Sequence, residues 1–148
     1  MGRYLAIDYG RKRIGLAWGD PTFAVAVARP PIVCGPAVDF WAALGAVVRE
    51  GEIVAFVVGL PLDHNGGEGD WAREVQAFGE RLREHFSLPV HFSDERLTSY
   101  QVDRDRPAGR NPLAKLLLRR RSGKDDSRAA ALLLQDFFEE QRMAKGLR

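Results

Sequence analysis

Residues 4–18 read YLAIDYGRKRIGLAW and decide the fold of the chain. Two short apolar runs, at residues 4–8 and 14–18, flank the basic turn at residues 9–13 and predict a hairpin of two strands. A second turn leads to an expected third strand from Phe23 to Ala28. Three consecutive short strands predict an antiparallel meander.

The remainder of the chain alternates between helical and strand patterns. Apolar residues recur at helical spacing after residue 36, whereas the unbroken run IVAFVV is typical of a strand buried on both faces. The expected elements are a helix running from Val38 to Gly51, a buried strand at residues 53–58, a helix from Trp71 to about Ser87, a strand at residues 89–93, a helix after residue 97, and a last helix from about residue 125 to 141. This order predicts an α/β protein with a five-stranded mixed sheet, its first three strands antiparallel, flanked by helices.

Length and composition narrow the possible domain organisation and partners further. The 148 residues suit one domain over 1–148, and a hydrophobic content of 45% is ample for one core. The net charge of +2 does not by itself indicate a nucleic-acid partner. Dense charge interrupted by prolines predicts a mobile basic segment over about 104–122.

The location of the protein is expected to be cytoplasmic. Cys34 is the only cysteine, which excludes an intramolecular disulfide and suits a reducing compartment. No apolar stretch is long enough to span a bilayer, and the N-terminus runs straight into a strand without a signal peptide. We therefore expect no membrane association.

Acidic residues end two of the expected strands. Asp8 closes the first apolar run, and Asp94 and Glu95 follow the fifth strand. Each has an ordinary explanation, because Asp8 could cap a turn and either of the other acids could face the positive end of a helix. Only one of two adjacent strand residues can point into a given face, so Asp94 is expected to cap and Glu95 to face the site.

Asp126 lies on the expected buried face of the last helix. At about 100° per residue, four apolar residues cluster around its direction, namely Ala129, Ala130, Leu133 and Phe137. A carboxylate on a buried face is costly unless it is paired. Lys124 or Arg96 could neutralise it, and so could a cation shared with Asp8 and Glu95.

Acids from three separate elements suit a hard divalent cation. Mg²⁺ and Mn²⁺ prefer carboxylate oxygens, and such ions activate water for phosphodiester cleavage. Asp125 lies on the helix side that carries other acids, so it reads as solvated or as a cap. The histidines and Cys34 lack zinc-ligand spacing, no serine lies in a nucleophile elbow, and the glycine loop at residues 65–69 lacks the P-loop lysine.

Basic residues accompany each of these acids along the sequence. Each alone is most simply a solvated surface charge, but together they favour a polyanionic substrate. The candidate nucleic-acid-binding residues are Arg11, Lys12, Arg13, Arg96, Lys115, Arg119, Arg120, Arg121 and Lys124.

At these residues the chain resembles the YqgF/RuvX family of Holliday junction resolvases and pre-ribosomal RNA nucleases, part of the RuvC-like, ribonuclease H-like group. The resemblance spans nearly the whole chain and rests on four ordered segments, AIDYGRKRIG at 6–15, VVGLPL at 57–62, DERLTS at 94–99 and KDDSRAA at 124–130. It implies a ribonuclease H-like fold and an acidic triad of Asp8, Glu95 and Asp126. It also implies that Arg96 and the pair at residues 12–13 lie near the substrate.

Asp125 departs from the family pattern, in which an apolar residue is more common. The departure leaves open whether Asp125, Asp126 or both bind metal. The resemblance further implies a role either in maturing the precursor of small-subunit ribosomal RNA or in cutting branched DNA.

Three hypotheses follow. The first is a Mg²⁺- or Mn²⁺-dependent nuclease acting on structured nucleic acid, foremost the 5′ end of pre-16S rRNA, with Holliday junction cleavage in recombination and repair as the alternative. The second is a non-catalytic nucleic-acid-binding or ribosome-assembly module. The third, an actin-like ATPase or sugar kinase, is opposed by a length that allows only one of the two domains such proteins need. The protein is expected to be a monomer or a homodimer.

Overall fold

A mixed five-stranded sheet lies at the centre of the computed structural model, which describes residues 2–61, 69–94 and 125–146, with only the backbone at 125 and 126. The strands are β1 (Arg3–Tyr9), β2 (Arg13–Gly19), β3 (Val27–Val33), β4 (Ile53–Leu60) and β5 (Val90–Asp94). The described helices are α1 (Phe40–Gly51), α2 (Asp70–Phe86) and α3 (Asp125–Ala144).

The strand order is β3-β2-β1-β4-β5, and it confirms the predicted α/β class. The first three strands pair antiparallel, whereas β1 with β4 and β4 with β5 pair parallel. Phe56, Val57 and Val58 of β4 are all fully buried, as expected of a strand covered on both faces. The carboxyl ends of β1, β4 and β5 therefore share one edge of the sheet.

The predicted position of the third strand was wrong, because β3 covers Val27–Val33 rather than residues 23–28. The preceding turn is longer than expected, since the backbone carbonyl of Asp20 accepts hydrogen bonds from the amides of both Phe23 and Ala24, and Ala24 has a left-handed φ of 55°. The strand then passes through Pro30 and Pro31, which lie at a register shift opposite β2. An edge strand tolerates prolines there, because their missing N–H groups break no central ladder.

The helix boundaries follow local capping. The carboxylate of Asp39 accepts a hydrogen bond from the amide of Ala42, so α1 begins at Phe40. Val38 was expected on the buried face of this helix, but it precedes the cap and is exposed. Ser87, with a left-handed φ of 57°, ends α2 where the sequence predicts.

Helices cover both faces of the sheet. The face beneath α1 and α2 holds large side chains, including Leu5, Ile7, Phe56, Phe78 and Leu82. The opposite face, beneath α3, holds a smaller cluster formed by Ala6, Ala17, Val57, Ala130, Ala131, Leu133, Leu134, Phe137 and Phe138. In the described ranges, no helix is long and apolar enough to cross a membrane.

Several predictions fall outside the described residues. These are the helix after residue 97 and the basic segment over 104–122. Most of the glycine loop lies there too, so the predictions for these segments stand untested.

Candidate active site

Asp8 lies at the shared carboxyl edge of the parallel strands. It is half-buried, pairs with Gly15 of β2, and stands one residue beyond the row formed by Ile7, Val58 and Phe92 across three strands. Three strands thus end around this carboxylate, and an edge of this kind is where open α/β sheets bind ligands.

Strand alternation places Asp8 on the α3 face. Leu5 and Ile7 pack beneath α1 and α2, whereas Ala6 is fully buried beneath α3. Because side chains alternate along a strand, Asp8 shares its face with Ala6. The small side chains of Ala6, Ala17 and Ala130 let the helix lie close to this face.

The first turn of α3 is held against the sheet beside Asp8. The buried hydroxyl of Ser127 accepts a hydrogen bond of 3.3 Å from the backbone amide of Leu16. Leu16 is the register partner of Ile7, one position from the pair formed by Asp8 and Gly15. The helix start that carries residues 125 and 126 therefore lies at the same end of the sheet as Asp8.

The buried face of α3 is displaced from the predicted one. Ala130, Leu133 and Phe137 are buried as predicted, but Ala129 is only half-buried. Five further residues are buried as well, namely Ser127, Arg128, Ala131, Leu134 and Phe138. The side chains of Asp125 and Asp126 lie outside the described ones, and their directions remain predictions.

β5 ends at Asp94, the first of the two adjacent acids. The ring of Phe92 lies against Gly79 of α2, and the ring of His91 lies 5.3 Å from that of Phe137 in α3. Alternation therefore assigns Ser93 to the α3 face. Asp94 ends the strand, and its charge acts on Glu140 of α3, so alternation does not exclude it from that face. Glu95 lies outside the described residues.

The basic hairpin turn lies next to Asp8. Arg11, Lys12 and Arg13 are all exposed. The guanidinium of Arg11 lies 4.5 Å from the ring centroid of Trp71 and 3.9 Å from a carboxylate oxygen of Glu74. The other predicted nucleic-acid-binding residues, Arg96, Lys115, Arg119, Arg120, Arg121 and Lys124, lie outside the described part.

A metal ligand set is not complete among residues 2–61, 69–94 and 125–146, where no three His, Cys, Asp or Glu side chains converge. Two members of the predicted triad, Glu95 and the side chain of Asp126, lie beyond these residues. Among the described residues, the fit of a metal ion is therefore judged from Asp8 and the strand ends around it. A half-buried carboxylate oxygen at the meeting point of three strand ends is a donor of the kind that hard divalent cations prefer.

Two residues at this edge were missed by reasoning from sequence. Ser127 belongs to the motif at residues 124–130, and a lone serine on an apolar helix face is the signal that could have identified it. Trp71 was predicted only as the start of a helix, yet it is half-buried and contacts Arg11. Nothing in the spacing of these two residues predicts that contact.

Comparison with known proteins decides the family. The model of the RuvX family, described as Holliday junction resolvase, matches residues 2–140. The chain belongs to the RuvX family. This confirms the resemblance drawn from the four sequence motifs.

Curated relatives and solved structures agree with this assignment. A RuvX relative from Dechloromonas aromatica, named as a candidate pre-16S rRNA nuclease, is 43% identical over 112 residues, which is 75% of this chain and 77% of that protein. A relative of the same name from Nitratidesulfovibrio vulgaris is 44% identical over 108 residues, covering 72% of this chain and 76% of that protein. The family and these relatives identify the chain as a nuclease.

The fold is also that of RuvC. Thermus thermophilus RuvC, solved in complex with a Holliday junction substrate, matches with a TM-score of 0.55 at 15% identity over 97% of both chains. The yeast mitochondrial Holliday junction resolvase matches with a TM-score of 0.57 at 11% identity, over 98% of this chain and 81% of that chain. The predicted RuvC-like, ribonuclease H-like fold is confirmed.

Proposed function

We propose that this RuvX nuclease uses divalent metal to hydrolyse phosphodiester bonds in structured nucleic acid, foremost in the precursor of 16S rRNA. The observation that supports it best is the hydrogen bond between Ser127 and Leu16, which holds the start of α3 at the Asp8 end of the sheet. The names of the curated relatives favour precursor ribosomal RNA as the substrate.

The proposed metal ligands are Asp8, Glu95 and Asp126, with Asp125 as a further candidate. Of the two adjacent acids, Glu95 is chosen because the resemblance of the motif at residues 94–99 implies it. Mg²⁺ or Mn²⁺ bound there would supply an activated water and stabilise the leaving oxygen. The carboxylate of Asp8 would orient that ion from the strand end.

The exposed hairpin turn would bind the substrate backbone. Arg11, Lys12 and Arg13 project from the turn that directly follows Asp8. Phosphate contacts of this kind set the register of a strand without reading its sequence. The basic residues of 104–122 together with Arg96 and Lys124 are proposed to add further phosphate contacts.

A four-way DNA junction is the second candidate substrate. The family description names Holliday junction resolvase, and that name favours branched DNA. Both substrates present a strand whose bases can leave a duplex.

We also predict that the protein is a single domain, acts in the cytoplasm and is a monomer or a homodimer.

The test is cleavage of three labelled substrates by wild-type protein and Asp8→Asn. Single-stranded RNA, precursor 16S rRNA and a four-way DNA junction are each incubated with Mn²⁺, Mg²⁺ or EDTA. We expect metal-dependent cleavage that is lost in Asp8→Asn and retained in Asp136→Asn, an exposed acid further along α3. Intact binding without cleavage by the wild-type protein would instead support a non-catalytic module.

A further inference from the structure

A series of stacked side chains leads from the core to the surface beside Asp8. The ring of Phe78, only 1% exposed, lies 4.1 Å from that of Tyr9 at an interplanar angle of 21°. The Tyr9 ring lies 5.6 Å from that of Trp71 at 20°. The guanidinium of Arg11, on a side chain that is 74% exposed, completes the series over Trp71.

The position of this series relates it to the site. Tyr9 directly follows Asp8 in β1, so the two side chains point to opposite faces of the same strand end. Trp71 lies in the first turn of α2, which follows the carboxyl end of β4. A strand whose phosphate lay at Asp8 could therefore place a neighbouring base on the Trp71 side of the edge.

A second tryptophan shows what a purely structural arrangement looks like in this molecule. Trp18 also has arginines over its ring, Arg3 at 5.4 Å and Arg29 at 4.2 Å. There Arg3 donates a partly buried hydrogen bond of 3.0 Å to the carbonyl oxygen of Gly51, and Arg29, 33% exposed, pairs with Glu50 at 3.4 Å. Both arginines have closer partners than Arg11 has, and they lie towards the end of the sheet opposite Asp8.

Arg11 is held much more weakly. Its ion pair with Glu74 is 3.9 Å long between side chains that are 74% and 58% exposed, and such pairs contribute little. An exposed contact of a cation with a ring is also weaker than the stacking of a nucleobase on an aromatic side chain. A base can therefore replace Arg11 on Trp71, and the released guanidinium can bind a phosphate.

We propose that Trp71 is a stacking site for an unpaired nucleobase next to the cleaved phosphate, and that Arg11 covers the ring until nucleic acid binds. The inference rests on the proposed function and specifies its substrate class, which is a strand that is unpaired beside the cleaved bond. A fully paired duplex cannot release a base to the ring without losing a base pair, so it should bind less tightly.

The test uses full-length protein carrying Asp8→Asn, in buffer with EDTA, so that binding is read without cleavage. The probe is an RNA oligonucleotide with one 2-aminopurine, used single-stranded or annealed to its complement. We expect the single strand to bind with strong quenching of the probe fluorescence. Adding Trp71→Leu should remove the quenching and weaken binding about tenfold, whereas Trp71→Phe should retain part of both.

The control is Trp18→Leu, which removes the other arginine-covered tryptophan and should leave quenching and affinity unchanged. Quenching that persists in Trp71→Leu would overturn the proposal, as would equal affinity for the duplex or no binding by the Asp8→Asn parent. Stacking without any cleavage by the wild-type protein would refute only the nuclease function. Cleavage without stacking would refute only the role of Trp71.

Discussion

The two faces of the sheet are built from side chains of different size. Beneath α1 and α2 the contacts are made by large residues such as Phe56, Phe78 and Leu82. Beneath α3 the strands contribute mainly alanines, and Ala6 and Ala17 meet Ala130 and Ala131 of the helix. The large side chains of the first face fill the core, and the small side chains of the second let a helix lie close to the strands.

Hydrogen bonds add to the close approach of α3. Ser127 accepts one from the amide of Leu16, and Gln135 bonds to the backbone of Ala24 and Ala26. Close approach and these bonds together fix the start of α3 relative to Asp8. We therefore expect substitutions of the fully buried residues beneath α1 and α2 to change stability, and substitutions beneath α3 to change activity.

The largest expected effect on stability is on the face of large side chains. Leu82 of α2 is fully buried, and Leu82→Ala should lower the free energy of unfolding by about 2–5 kcal/mol, because it leaves a cavity. Urea unfolding measures the loss. Activity per folded molecule should stay near that of the wild type, and an equally large drop in that activity would contradict the division of roles.

A larger side chain at the alanine contact should have the opposite effect, with a small loss of stability and a large loss of activity. Ala130 is fully buried, and Ala130→Leu should cost about 1–3 kcal/mol of stability while displacing the start of α3. A displacement near 1 Å can lower activity about a hundredfold, which a cleavage assay at saturating Mn²⁺ would detect. The matched control is Ala129→Leu at the half-buried neighbouring position. Equal losses in both variants would show that close approach does not matter.

Substitutions of Ser127 and Gln135 distinguish an effect on the position of α3 from an effect on stability alone. Ser127→Ala leaves the buried amide of Leu16 without its partner and should cost about 1–3 kcal/mol. It should also raise the Mn²⁺ concentration that gives half-maximal activity, and Ser127→Thr should restore it. Gln135→Ala should lower Tm without changing the metal requirement. A shift of equal size in Gln135→Ala would contradict a specific role for Ser127.

Features of the fold that depend on neighbouring residues in the sequence could be predicted, whereas features that depend on distant residues could not. The alternation of Leu5 and Ile7 with Ala6 and Asp8 is local, so it was predictable that Asp8 and Ala6 share a face of β1. The limits of β3 were not, because prolines in a strand are tolerated only at an edge, and the order of strands is a property of the whole sheet.

Asp8 lies at the strand end that the sequence predicts, whereas the supporting contacts of the site were less predictable. The buried face of α3 differs from the predicted one because the helix packs across several strands, so Leu134 and Phe138 are covered as well. The bond between Ser127 and Leu16 joins residues 111 positions apart. No spacing pattern encodes such a contact, or the one between Arg11 and Trp71.

The smallest expected effect concerns Glu140 of α3. Glu140 is exposed, but partial desolvation raises its pKa, and the charges of Asp136 and Asp94 raise it further. The folded protein then binds this proton more tightly than the unfolded chain, so the associated stability is present in acid and lost as pH rises through the raised pKa. Glu140→Gln should therefore gain in Tm relative to wild type as the pH rises above the ordinary glutamate pKa of about 4.3. Parallel Tm curves for wild type and Glu140→Gln over this range would refute the effect.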